Sequence, residues 1–133
     1  MDIFLSIAAQ KTLAAIAALA KKARPGGFLL GHVRGGRYFV ETAIAASEGD
    51  WAEHEPYDRL DMIEPGRIIG FFVFSRSLAE RRRIGQPHAC GKAVLAAAKK
   101  PGGKLEFQGS RIDYTGRFVF DPLPVIEEKE TAP

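Results

Sequence analysis

The chain has 133 residues, 46% of them hydrophobic and 26% charged, with 19 Lys and Arg against 16 Asp and Glu for a formal net charge of +3. That length and balance fit one ordinary globular domain with one core. A single cysteine, Cys90, excludes an internal disulfide, and the charge is too mild to argue for nucleic acid by itself.

The N-terminal run "MDIFLSIAAQKTLAAIAALAKK" imitates a signal peptide. Asp2 stands where a basic region belongs, Gln10, Lys11 and Thr12 interrupt the apolar run, and no stretch is long enough to span a bilayer. It reads as folded structure of a cytoplasmic protein. Ile3, Leu5 and Ile7 alternate with Phe4 and Ser6, the period of a strand. From Ala8 the period becomes helical, with Leu13, Ile16 and Leu19 on one side and Lys11, Lys21 and Lys22 on the other. Pro25, Gly26 and Gly27 end that helix.

"GFLLGHV" (Gly27 to Val33) and "RYFVETAI" (Arg37 to Ile44) read as a hairpin, with Gly35 and Gly36 able to take positive φ at the turn. The polar "ASEGDWAEHEPYDRLDMIEPG" reads as a long loop carrying a short helix. "RIIGFFVFS" is an apolar strand buried on both faces, and "SLAERRRIG" a basic loop. "PHACGKAVLAAAKK" reads as a helix with Pro87 in its first turn and lysines at its end. "KLEFQ", "RIDYT" and "RFVF" read as short strands. The expected architecture is an α/β domain over residues 1–120, a mixed curved sheet flanked by helices, with a partly disordered tail over 121–133.

With these elements placed, the chain resembles the JAB/MPN family, whose active members are zinc-dependent JAMM isopeptidases. "RPGGFLLG", "YDRLDMIEPGRIIGFF" and "GQPHACGKAVLAAA" carry the resemblance. It implies the layered architecture shared by MPN and cytidine-deaminase-like domains. In the family pattern a Glu precedes the glycine strand, His-x-His-Pro ends the next, and Pro-Ser-x-x-Asp follows. The His pair and the Asp hold zinc with a water in the open position, the Glu acts as base and the Ser steadies the oxyanion.

Here the pattern is broken. Arg24 stands at the Glu position, Val73 and Ser75 at the two His positions and Arg76 at the Pro. Pro87 matches, but His88 replaces the Ser and Gly91 the Asp. Strict spacing from Ser75 places Arg83 and Gln86 there instead and restores nothing. Valine has no lone pair for zinc, and arginine is no base near neutral pH. The resemblance therefore implies a member without zinc, cofactor or isopeptidase activity. Such members act as protein-interaction or scaffold modules that pair with another chain or a second copy.

Other constellations are weaker. His88 and Cys90, two apart at a helix start, would serve an enzyme of another class, but such spacing turns side chains apart on a helix. A zinc-deaminase site needs a second cysteine that does not exist. Arg81, Arg82 and Arg83, with Arg76 near them, form the densest basic cluster, but no aromatics interleave and nucleic acid is disfavoured. In the family register, Arg24, Arg76 and His88 converge where the zinc would lie and would form a weak anion site. Trp51 reads as a loop residue tucked against its own domain.

Overall fold

The computed structural model describes residues 1–19, 26–46, 52–74, 84–102 and 104–130. The elements run β1 (Asp2–Leu5), α1 (Ile7–Leu19), β2 (Gly26–Arg34), β3 (Arg37–Ala45), α2 (His54–Ile63), β4 (Ile68–Val73), a 3₁₀ turn (Pro87–Ala89), β5 (Ala93–Lys99), β6 (Leu105–Tyr114), β7 (Phe118–Leu123) and β8 (Val125–Glu127). All eight strands join one sheet in the order β7-β6-β5-β4-β2-β3-β1-β8. The pairs β1–β3, β1–β8 and β4–β5 are parallel and the rest antiparallel. The sheet curls until β6 approaches β8: a Cβ at Gly109 would lie 2.8 Å from both Ile3 Cδ1 and Val125 Cγ2.

Alternation along each strand sends one set of side chains inward and the other outward. Ile3, Leu5, Leu29, Tyr38, Val40, Ile69, Phe72 and Leu95 form the inner cluster together with Ala9 and Leu13 of α1. Helix α1 therefore fills the concave side of the sheet. Its buried stripe is Ala9, Leu13 and Ala17, spaced four apart, and the small alanines let it lie close to the strands. Leu19, expected on that stripe, is 79% exposed. Ser6 starts the helix: its Oγ accepts from the Ala9 amide at 3.0 Å. Phe28, Leu30, Ile68, Phe71, Val73, Val94, Ala96 and Ile112 point the other way into an outer cluster, where Tyr57 and Leu60 of α2 rest on them.

The expected α/β layering is overturned. The molecule is mostly sheet, a nearly closed eight-stranded barrel-like fold, with two short α-helices among the described residues. The largest error is "PHACGKAVLAAAKK". Its first residues make one 3₁₀ turn, Gly91 at φ 81° stops it, and Ala93–Lys99 is a central strand. The physical reason is tertiary. Ala93 to Ala97 lie between β4 and β6 with both faces buried. Small side chains fit that crowded position, so packing overrides the helix propensity of alanine. "KLEFQ" and "RIDYT" are one continuous strand, β6. The segment read as a tail continues β7 to Leu123 and adds β8, which pairs with β1 through Glu127. The hairpin is as read, with Gly35 and Gly36 at φ 58° and 75°.

Two outcomes check this arrangement. Carbon chemical shifts over Ala93–Lys99 will be those of extended backbone; helical shifts there would refute the strand. Leu13→Ala, which removes the centre of the inner stripe, will lower unfolding free energy by about 2–5 kcal/mol in urea.

Candidate functional site

Val73 ends β4 in the outer cluster and is 2% exposed. It is a packing residue, set among the apolar side chains of the outer cluster. Gly91 lies at positive φ between the 3₁₀ turn and β5, where its carbonyl accepts from the Tyr38 hydroxyl at 2.6 Å. Arg24, Ser75, Arg76, Arg81, Arg82 and Arg83 lie outside the described residues, as does Trp51. The expected convergence of Arg24, Arg76 and His88 and the arginine loop therefore rest on the sequence alone. Among the described residues no three His, Cys, Asp or Glu side chains are grouped to hold a metal ion. The residues at the described ligand positions of the family pattern, Val73 and Gly91, do not fit zinc.

His88 sits in the 3₁₀ turn, not at the start of an α-helix. Its ring packs 5.1 Å from that of Tyr57 and meets the Phe71 ring edge-on at 6.2 Å. Burial holds its pKa below the ordinary imidazole value, opposed by a hydrogen bond to the backbone of Ala52. Nε2 is buried without a partner. Cys90 is exposed. The ring's hydrogen bond goes to the backbone of Ala52, and Cys90 closes the 3₁₀ turn two residues on.

The arrangement that sequence reading missed lies on the outer face of β8, β1, β3 and β2. The strand registers place Ile126 beside Phe4, Phe4 beside Phe39, and Phe39 beside His32. This forms a transverse row across four strands. Phe4 and Phe39 meet at 5.7 Å, and His32 stacks on Phe39 at 4.8 Å with planes 15° apart. Ile126 is 38% exposed and the His32 side chain 53%. The outer cluster beneath α2 includes none of the four.

Two charge groups bracket the row. On one side Arg37 makes a two-pronged contact with Asp2 at 2.7 and 2.9 Å, and its guanidinium lies 5.4 Å from the Phe4 ring centre and 5.8 Å from that of Phe39. These bonds hold the Asp2 carboxyl below the usual carboxylate range. On the other side Glu41 accepts from Arg67 Nη2 and lies 2.8 Å from His32 Nδ1. His32 first, with help from Arg67, holds the Glu41 carboxyl low.

A β-bulge lies beside the second group: Leu30 pairs with Thr42 and Gly31 with Val40, so Glu41 is the extra residue, and two residues on from Phe39 its side chain shares that ring's outward face. No sequence motif marks it, because residues 32, 41 and 67 meet only through strand register. Between β6 and β7, Asp121 shares a hydrogen bond with Asp113, which raises its pKa, and in β3 burial raises that of Tyr38.

No family model matches the chain, and no curated protein matches it. Among solved structures it is similar to the solution structure of protein DSY2949 from Desulfitobacterium hafniense, a structural genomics target. The TM-score is 0.71 at 19% sequence identity, over 96% of this chain and 94% of that one. At that identity the likeness shows the fold alone.

Asp2 and Glu41 set a pH signature. Each folded-state pKa is depressed, so each contributes stability above its ordinary value, 3.8 for Asp2 and 4.5 for Glu41, that is lost as pH falls through the depressed value. Both pairs are partly open to solvent, so Asp2→Asn or Glu41→Gln will cost under about 1 kcal/mol at neutral pH. The urea midpoint will converge with wild type in acid. A cost that persisted unchanged in acid would contradict the ion-pair assignment.

Proposed function

We propose that the chain is a protein-interaction or scaffold module without zinc isopeptidase activity, and that it meets its partner through the outer face of β8, β1, β3 and β2. The observation that carries this reading is the row Ile126–Phe4–Phe39–His32, apolar and aromatic, on a sheet face that α2 does not cover. Exposed apolar patches rimmed by charge are characteristic of contact surfaces. The rim here is the Asp2–Arg37 and His32–Glu41–Arg67 groups, whose charges are already paired. Such charges at a rim favour a complementary partner and fix its register more than they add affinity.

The resemblance to the JAB/MPN family contributes only through residues. Valine at one ligand position and glycine at another leave no site for the hydrolytic metal. A second copy of the chain is the simplest partner, and another protein the alternative; nucleic acid is disfavoured. The lone cysteine is compatible with a reducing compartment such as the cytoplasm. Among the described residues no helix is long and apolar enough to cross a membrane.

Light scattering across a concentration series is the direct test. Wild type will show a mass rising above one chain, and Phe39→Glu, with an unchanged circular dichroism spectrum, will remain at one chain. A constant single-chain mass in wild type would exclude the second copy as partner. Purified protein will carry far less than one zinc per chain. Stoichiometric zinc together with cleavage of an isopeptide-linked substrate would overturn the whole reading.

A further inference from the structure

We propose that His88 is a proton-controlled clamp on α2: the neutral ring holds the helix against the outer face of the sheet, and the protonated ring releases it and uncovers the outer apolar cluster.

The helix is weakly held by its own side chains. No residue of α2 is buried, and Met62 and Ile63 at its end are 82% and 76% exposed. Tyr57 and Leu60, half-buried, are its contacts with the outer cluster. Beneath them lie Phe28, Ile68, Phe71 and Val73, all of them nearly inaccessible to solvent. A large apolar surface is thus capped by a short amphipathic helix that adds little cohesion of its own.

His88 touches the helix assembly at two points. Its ring lies against the Tyr57 ring, and it bonds to the backbone of Ala52, which is buried two residues ahead of α2. It is itself part of the 3₁₀ turn Pro87–Ala89, which leads into β5. The Ala52 bond strengthens with protonation, so the ring is the donor to the carbonyl there. With Nε2 unpartnered, the donor is Nδ1 and the neutral tautomer keeps Nε2 as a bare lone pair.

Protonation adds a hydrogen to Nε2, where no acceptor lies, and a positive charge between Tyr57 and Phe71. A buried donor without an acceptor and a buried charge without a close partner are both unfavourable. The groups facing the ring are mixed. From α2 come Tyr57, His54, which opposes the charge, and Asp58, which favours it; Glu53 ahead of the helix also favours it. From the start of β5, Lys92 has its ammonium 5.8 Å from the Tyr57 ring centre while donating to the Ile68 carbonyl at 2.8 Å. Strand β4 contributes Phe71, which is apolar. The two acids stand in solvent at the helix surface, so burial is the largest influence on the ring.

The sign follows. The clamp is at full strength above the ordinary imidazole pKa of 6.5 and weakens as pH falls below it towards the lowered folded value. Local opening of α2, which restores the ring to water, is the cheapest route to the protonated state.

The experiment is hydrogen exchange followed by NMR, residue by residue, from about pH 7 to about pH 5, after correction for intrinsic exchange. The expected result is that amides of α2 lose protection on acidification while those of β2, β4 and β5 keep theirs, and that binding of a hydrophobic dye rises in step. The loss can reach about tenfold for each unit by which the ring pKa lies below its ordinary value. The ring pKa of His88, read from its carbon-bound proton in the wild-type protein, must lie below 6.5 and track the helix opening. His88→Phe keeps an aromatic filler and will abolish the pH dependence, while His54→Gln, an exposed position on the same helix, will retain it. The clamp is refuted by α2 protection that does not change with pH, by a His88 pKa at or above 6.5, or by an unaltered transition in His88→Phe. The wild-type ring titration decides the matter even where a variant fails to fold.

Discussion

Burial of both faces of the central strands is the constraint on which the molecule depends. β2, β4 and β5 carry apolar side chains inward and outward in turn, from Leu29, Phe72 and Leu95 on one side to Phe28, Phe71 and Val94 on the other. A sheet of that composition must be covered twice. Curling supplies the first cover, since it wraps the strands around α1 and brings β6 towards β8. The second cover is partial. Helix α2 spans the outer face over β4 and its neighbours, while on the face of β8, β1, β3 and β2 the row of half-buried Phe4 and Phe39 and exposed Ile126 and His32 lies outside the cluster beneath α2. The division between a covered and an open half of one surface underlies both the proposed contact face and the proposed behaviour of His88.

The same constraint explains what the sequence revealed and what it hid. Alternation in Ile3–Leu5, glycines at 35 and 36, and the unbroken apolar run from Ile68 to Val73 are local signals, and each produced the element read from it. The run from Ala93 to Lys99 carried a misleading local signal. Alanine favours helix in isolation, but a run paired on both sides, with β4 and β6, and buried on both faces from Ala93 to Ala97 makes a strand. Curvature was illegible for a related reason: the close approach of Gly109 to Ile3 and Val125 joins positions more than a hundred residues apart in one case. The contact row and the His32–Glu41–Arg67 group are products of register, so no spacing in the chain announces them.

Val73 is a core residue of β4. A residue that the family resemblance places at a zinc-ligand position is packed among Phe28, Phe71 and Val94. Its surroundings are apolar, and an unpaired polar group there would cost on the order of several kcal/mol. His88 differs in kind: a titratable ring kept partly dry, bonded once, with its second nitrogen idle. Packing alone would be served by an aromatic hydrocarbon, so the ring nitrogens set the position apart from its neighbours.

The central claim is that the outer face of β8, β1, β3 and β2 is the surface by which this chain meets a protein. Its most direct test is amide shift mapping of labelled protein as unlabelled chain is added. The account predicts perturbations confined to residues 2–5, 32–41 and 125–127, absent in Phe39→Glu. Perturbations centred instead on Arg81–Arg83, or on the α1 surface, would contradict it.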